Sequence, residues 1–116
     1  MDIFFWRKNK IIDNFSVKLA DEVFSNLPPQ QIAEFTSELK SAGNQKKAEK
    51  KMNRKMQSVI ESAVSQFSEF IRAESLGVYG KARLHMQFMA RLQELGYEKE
   101  LAEKINQDIM LKIPGR

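Results

Sequence analysis

The chain contains no cysteine, a single histidine and only three prolines in 116 residues. Without thiols it cannot form disulfides, use a cysteine nucleophile or bind zinc through thiolates. No apolar run approaches the ~20 residues that a membrane-spanning helix needs. The first ten residues also lack the small-residue cleavage site that is typical of signal peptides. These absences predict a cytoplasmic protein.

Charge is distributed unevenly along the chain. The formal net charge is +4, from 19 basic and 15 acidic residues. The segment 43–58 alone carries six basic residues and one acidic residue, Glu49, so its excess is larger than that of the whole chain. We expect an electrostatic partner to bind there. Hydrophobic residues make up 42% of the sequence, enough for one core, and residues 1–116 are expected to form one domain.

Apolar residues recur with the helical period of 3.6 nearly throughout, and no segment alternates with the period of a strand. Prolines and glycines divide this pattern, because proline lacks the amide donor and glycine readily ends helices. We therefore predict an all-α fold, a single helical domain of four or five helices packed around one long central helix, residues 45–76. The predicted helix ends are Pro28-Pro29, Gly43-Asn44, Gly77, Gly96-Tyr97 and Pro114-Gly115.

Two features of the predicted helices favour self-association. A helix over residues 45–76 would be ~48 Å long at ~1.5 Å per residue. A compact chain of this length has a radius of gyration of only ~13 Å, so that helix would either break near Asn53 or project with its basic first half. The first helix is also apolar on a second side, and a homodimer would bury both surfaces. The residues assigned to the interface are Trp6, Val17, Phe24, Met52 and Met56.

Six cations of the segment 43–58 fall on one half of the predicted third helix. They are Lys46, Lys47, Lys50, Lys51, Arg54 and Lys55. Such a face can neutralise the phosphates of a nucleic acid or bind an acidic protein. A solvated surface that serves solubility only is an equally good interpretation. Peripheral membrane contact through the aromatic and basic residues of segment 4–8 is disfavoured, because stable anchoring takes two signals.

The sequence Gly77-Val78-Tyr79-Gly80 separates the predicted third and fourth helices. A short glycine-containing turn of this kind joins the two helices of a helix-turn-helix, which residues 59–95 would then resemble. The simpler interpretation is a helix end followed by a helix start. If the unit is a helix-turn-helix, it adds Lys81, Arg83 and Gln87 to the nucleic-acid-binding residues. Met86 and Ala90 lie on the same outward face.

Catalytic chemistry has little support in the sequence. His85 lies beside Phe88 and Leu92 on the helical wheel, a position typical of a histidine at the edge of a core with one hydrogen bond. A metal site would need further imidazole or thiolate ligands, and no G-x-S-x-G motif marks a nucleophile. Glu74, in the last turn of the third helix, is expected to pair with Lys81 or Arg83 and to fix the angle between two helices.

The residues therefore favour binding over catalysis. We predict no enzymatic activity, no cofactor, no metal and no small-molecule substrate. The expected function is that of a non-enzymatic helical protein-interaction module that self-associates as a dimer. The alternative is a nucleic-acid-binding protein that uses the basic residues at 46–55 and the helix-turn-helix-like unit at 59–95.

Overall fold

A computed structural model describes residues 3–40 and 45–113, and within these ranges it contains helices and no strand. The prediction of an all-α fold is confirmed. The Gly43-Asn44 and Pro114-Gly115 helix ends predicted above lie outside the described residues. The helices are α1 (Ile3–Asn26), α2 (Pro29–Lys40), α3 (Gln45–Ala73), α4 (Val78–Glu94) and α5 (Lys99–Lys112).

Phe67 of α3 lies at the centre of the hydrophobic core and is fully buried. Its ring meets Phe15 of α1 edge-on at 6.0 Å between centroids and Phe88 of α4 edge-on at 5.1 Å. His85 of α4 stacks on the same ring at 5.0 Å. Because one α3 side chain joins aromatic rings from α1 and α4, α3 has the central place predicted for the long helix.

Helices α1 and α4 form the most extensive helix pair. Asp13 binds Arg83 and Asp21 binds Arg91, so both contacts join residues that are 70 positions apart. A constant offset means that the two helices run parallel. Ser16 is fully buried between them. Its hydroxyl donates a shared hydrogen bond to two carbonyl oxygens, that of Ile12 at 2.8 Å and that of Leu84 at 3.1 Å. A small side chain at this position lets the two backbones approach closely.

Helix α3 ends earlier than the predicted stop at Gly77. Its last residue is Ala73, and Ser75 takes the left-handed backbone conformation with φ 51°. The Leu76 amide donates to the Ile71 carbonyl at 3.0 Å, which closes the helix with a Schellman motif. Gly77 instead precedes α4 in an extended conformation. The predicted stop at Gly96 is correct, since Gly96 has φ 106° directly after α4.

Replacing Ser75 with glycine should stabilise the protein. A residue with a Cβ atom costs about 1–2 kcal/mol in the left-handed region, and the greater freedom of glycine in the unfolded chain offsets part of this gain. We expect the free energy of unfolding to rise by about 1 kcal/mol, measured by urea denaturation. Gly96→Ala is the control with the opposite expected sign, because alanine is strained at the positive φ of Gly96. Its new Cβ would meet only Pro29, at 3.8 Å, so the expected loss of stability would come from the backbone and not from a clash. An unchanged Ser75→Gly midpoint would contradict this account.

The molecule is elongated, with principal extents of 60 × 28 × 19 Å and a radius of gyration of 15.9 Å. Helix α3 is continuous through Asn53, and its buried side chains begin only at Val59. None of the described side chains from Lys46 to Ser58 is buried. Helix α3 also pairs with α2. Of the two alternatives, a break near Asn53 or a projecting first half, the structure has the second, since α3 extends past the core.

Candidate functional site

The six predicted cations of α3 all lie on the solvent side of the helix. We call Lys46, Lys47, Lys50, Lys51, Arg54 and Lys55 the basic face, and every one of them is exposed. At ~100° per residue their mean direction is opposite to that of the buried positions Val59, Ala63 and Phe67. The cations form two rows with a four-residue spacing, so neighbours within a row are separated by a rise of ~6 Å. The basic face therefore presents a regular array of charge to solvent.

The other predicted nucleic-acid-binding residues lie elsewhere. Gly77 caps α4, and the next three residues form its first turn, so the glycine-containing sequence is mostly helix. Lys81 and Gln87 are half-buried. The Arg83 guanidinium donates from Nε and Nη2 to the two carboxylate oxygens of Asp13, both at 2.8 Å. The structure thus groups residues 46–55 on one face and places Arg83 in the contact between α1 and α4.

Two aspartate–arginine pairs that were not predicted from the sequence join α1 to α4. Asp13 and Asp21 are spaced like Arg83 and Arg91, which bind them. The Asp13 carboxylate, followed by the Tyr79 hydroxyl, raises the pKa of Arg83 above its ordinary value. The matched eight-residue spacing was a signal in the sequence, but nothing there sets the offset between the two helices. Glu74, which was expected to pair with Lys81 or Arg83, contributes its backbone carbonyl, which accepts a bond from Lys8 Nζ at 2.6 Å.

The predicted interface residues of α1 differ in exposure. Trp6 is 59% exposed and Val17 is 37% exposed, so both side chains are accessible to a second protein. Phe24 is half-buried and meets the Tyr97 ring edge-on at 6.4 Å between centroids. Phe24 is therefore part of the packing between α1 and the segment after α4. The helical wheel could not show this, because Tyr97 is distant in the sequence.

The two predicted methionines of α3 are less accessible than Trp6. Met52 and Met56 are both half-buried, and Met56 packs against the hydrophobic core. They lie on the side of α3 that faces away from the basic face. Met56 thus contributes to core packing in the single chain.

Helix α4 has an uncharged strip on its outer surface, next to the exposed carboxylate of Glu94. We call it the α4 stripe, and its members are Tyr79, Ala82, Met86, Ala90 and Gln93, all of them exposed. They fall within about 80° of the helix circumference. Tyr79 is 53% exposed and Met86 is 56% exposed. Met86 and Ala90 were predicted to lie on the outward face, as possible contacts to nucleic-acid bases.

His85 is a core residue. It is buried, stacks on Phe67, and its Nδ1 donates to Oδ1 of Asn106 at 2.7 Å. Desolvation lowers the pKa of His85 below its ordinary value of 6.5, although the bond to Asn106 opposes the shift. This is the arrangement predicted for a histidine at the edge of the core with one hydrogen bond.

The lowered pKa of His85 makes stability depend on pH. The folded state binds the His85 proton less tightly than the unfolded state does. The contribution of His85 to the free energy of unfolding is therefore complete above pH 6.5 and is lost as pH falls from 6.5 through the folded pKa. The free energy of unfolding should fall by up to about 1.4 kcal/mol per pH unit in that window. Urea denaturation of wild type and His85→Gln between pH 7 and 5 measures the difference, since glutamine does not titrate. Parallel pH profiles for the two proteins would contradict the assignment.

A shallow groove of about 190 Å³, open to solvent, lies between α1 and α3. The Gln66 amide spans it and donates to the Glu22 carboxylate at 3.1 Å. Among the described residues, no group of three or more histidine, aspartate or glutamate side chains could hold a metal ion. No described helix is long and apolar enough to span a bilayer. The residues that line the groove are Leu19, Glu22, Val23, Asn26, Val59, Ser62, Ala63 and Gln66.

Comparisons with protein-family models, with curated proteins and with solved structures find no match to this chain. The function must therefore be inferred from the described surfaces. Two of them are candidates for binding, the basic face of α3 and the uncharged strip of α4.

Proposed function

We propose that the chain is a non-enzymatic helical protein-interaction module that self-associates. The observation that carries the proposal is the set of large apolar side chains left exposed on the paired helices α1 and α4. Val78 is 88% exposed, and Tyr79, Met86 and Trp6 are each more than half exposed. Val78, Tyr79 and Met86 lie within nine consecutive residues of α4, and exposed apolar side chains that lie close together mark sites of protein interaction. The cysteine-free composition favours the cytoplasm as the place where the module acts.

The charges near these side chains support the same function. Arg83 and Arg91 border the exposed surface of α4, and each is bound to an aspartate of α1. Paired charges leave the neighbourhood close to neutral. A second protein surface can then approach without burying an uncompensated charge, which would cost several kcal/mol.

Light scattering on a sizing column tests self-association. We expect the molar mass to rise from 13.5 kDa towards twice that value as the concentration increases. The rise should persist at high salt, because apolar contacts are not screened by ions. A mass that stays at 13.5 kDa at every concentration and salt would refute the proposal.

Nucleic-acid binding through the basic face is the second candidate. It is supported by the exposure of all six cations and by their position opposite the core. The half-buried Met52 and Met56 lie on the other side of α3, so the centre of the basic face is polar. A phosphate backbone suits an array of this kind, because it requires charge at regular spacing without a precise pocket.

Charge reversal separates the two candidates. Lys50→Glu combined with Arg54→Glu should abolish binding to duplex DNA and leave the molar mass of the protein unchanged. Lys18→Glu combined with Lys99→Glu is the matched control, since both residues are exposed cations outside the basic face. Equal loss of DNA binding in both variants would show a general charge effect. Tight binding to one acidic protein, with only trace binding to DNA, would favour a protein partner.

A further inference from the structure

We propose that one end of the helical bundle binds the surface of an anionic lipid bilayer. The start of α1, the start of α4 and the end of α5 form this end of the molecule. Four large apolar side chains are exposed there, and we call them the apolar end: Trp6, Val78, Met110 and Leu111. Binding to lipid would be a further activity, separate from the self-association proposed above.

Contacts between the helices bring these side chains to the same end. Helix α4 runs parallel to α1, and Lys8 Nζ donates to the Glu74 carbonyl, so the first turns of α1 lie beside the start of α4. Helix α5 returns along α4 after a short connection, and His85 of α4 bonds to Asn106 of α5. The last turn of α5 and the first turn of α4 both lie about seven residues beyond that bond, on the same side of it.

The members of the apolar end project from helix ends and do not follow the face of one helix. Leu111 is 77% exposed, and the exposure of Val78 is still larger. Trp6 and Val78 belong to the first turns of their helices, and Met110 and Leu111 belong to the last turn of α5. A flat surface that meets the bundle end-on would therefore reach apolar side chains from three helices at once.

Basic side chains surround the apolar end. The Lys10 ammonium group lies 5.3 Å from the centre of the Trp6 ring, a cation–π contact. Within four positions of the apolar end, the described residues include two carboxylates, of which Asp108 binds Lys104 and Glu74 is half-buried. Helix α3 also ends here and adds one charge of each sign in its last five residues. The cations within four positions are Arg7, Lys8, Lys10, Lys81 and Lys112.

This composition favours a lipid surface over a second protein. Lysine is depleted at protein–protein interfaces, and its ammonium group is strongly hydrated. At an anionic bilayer the apolar stem of lysine lies along the apolar region, while the ammonium group reaches the lipid phosphates. Tryptophan is enriched at membrane interfaces, because its ring is apolar and its N–H group is polar. The positive charge and the aromatic side chain together therefore match an anionic lipid surface.

Separate parts of the sequence meet at the apolar end. Segment 4–8 alone was disfavoured as a membrane contact, because stable anchoring takes two signals. The fold places a second group of apolar and basic side chains beside it, from the start of α4 and the end of α5. The strength of interfacial binding depends on buried apolar area and on attraction to anionic lipids, and the apolar end offers both. We therefore expect reversible binding that requires anionic lipid.

Trp6 is the single tryptophan of the chain, so its fluorescence reports on the contact directly. The protein is titrated with vesicles of phosphatidylcholine, either alone or with about 30% phosphatidylserine to supply a negative surface potential. With the anionic vesicles we expect the Trp6 emission to shift to shorter wavelength and brominated acyl chains to quench it. Both effects should weaken as salt rises. An unchanged Trp6 emission with anionic vesicles at ~50 mM salt would overturn the proposal.

Apolar substitutions test whether these side chains enter the bilayer. Val78→Asp combined with Leu111→Gln should weaken binding to the anionic vesicles by about tenfold or more, because less apolar area is then buried. The fold should tolerate both changes, since the two side chains are exposed and an acidic residue is favourable in the first turn of a helix. Met86→Gln is the matched control, an exposed apolar residue further along α4, and it should bind vesicles like the wild type.

Charge reversals test the electrostatic part of the contact. Lys10→Glu combined with Lys112→Glu should also weaken binding by about tenfold or more, because each cation near an anionic surface contributes to the attraction. Lys18→Glu combined with Lys99→Glu is the matched control, since both are exposed cations on the same two helices but away from the apolar end. Equal losses in the two double variants would overturn the assignment of the contact to this end.

Two further outcomes would also overturn the proposal. If Lys50→Glu with Arg54→Glu abolishes vesicle binding while the variants of the apolar end bind normally, the basic face is the lipid contact. If no vesicle binds and Val78→Asp with Leu111→Gln converts a dimer into a monomer in light scattering, a second copy covers the apolar end. Self-association would then stand without lipid binding. Conversely, a monomeric wild type whose Trp6 emission responds to anionic vesicles would support lipid binding and refute self-association alone.

Discussion

Phe67→Ala should lower the free energy of unfolding by about 3–5 kcal/mol, the largest stability effect that we expect for one substitution. The side chain is fully buried, and its ring contacts Phe15, His85 and Phe88 from two other helices. Its removal leaves a cavity that the surrounding helices cannot fill without separating from one another. Since small domains have a total stability of about 5–15 kcal/mol, the variant should be close to unfolding at 37 °C.

Phe70→Ala is the matched control for this prediction. Phe70 lies one turn further along α3, is only half-buried and stacks on Phe15 at 4.0 Å between centroids. It should lose clearly less stability than Phe67→Ala, because solvent already reaches part of its ring. Thermal denaturation followed by circular dichroism measures both variants. Equal losses would show that Phe67 is not the centre of the core.

Affinity for duplex DNA should fall about 150-fold between 50 and 200 mM salt, if about four of the six cations contact phosphates. Each neutralised phosphate releases condensed counterions, and four contacts give a slope of about −3.6 for log K against log salt. Binding should depend little on sequence, because contacts to the backbone position a protein without reading bases. Fluorescence anisotropy with duplexes of unrelated sequence measures both the slope and the preference.

Alanine substitutions on the basic face provide the test of that slope. The combined variant of Lys47, Lys50, Lys51 and Arg54 to alanine should have a shallower slope. Its magnitude should be about 1.8 or less, the value for the two cations that remain. Helix content should not fall, since alanine is the best helix former. No binding of the wild type to DNA, RNA or heparin at ~50 mM salt would leave the basic face as a solvated surface.

The helices were predictable because their signal is local. The apolar stripe of α1, from Ile12 to Leu27, repeats at helical spacing, and those positions are buried or half-buried. The end of α3 was not predictable in the same way. Glycine is the common residue in the left-handed conformation after a helix, and the sequence offers Gly77 two residues beyond Ser75, which takes that conformation.

The candidate site was predicted in part. The direction of the six cations follows from the period of one helix, so the basic face agrees with the helical wheel. Arg83 and Phe24 were assigned to binding surfaces because a wheel shows which residues share a face, but not what that face meets. Their partners, Asp13 and Tyr97, are 70 and 73 residues away, and only the packing of α1 on α4 brings them together.

Sedimentation equilibrium of the wild type and of Met86→Asp over ~1–300 µM tests the central claim most directly. The substitution would place a carboxylate among the exposed apolar side chains of α4, and burial of an unpaired charge in a contact there would cost several kcal/mol. Met86 is 56% exposed in the single chain, so the fold should tolerate the change. We predict a concentration-dependent dimer for the wild type and a monomer for Met86→Asp at every concentration. A wild type that remains monomeric, or a Met86→Asp protein that dimerises as well as the wild type, would contradict the account.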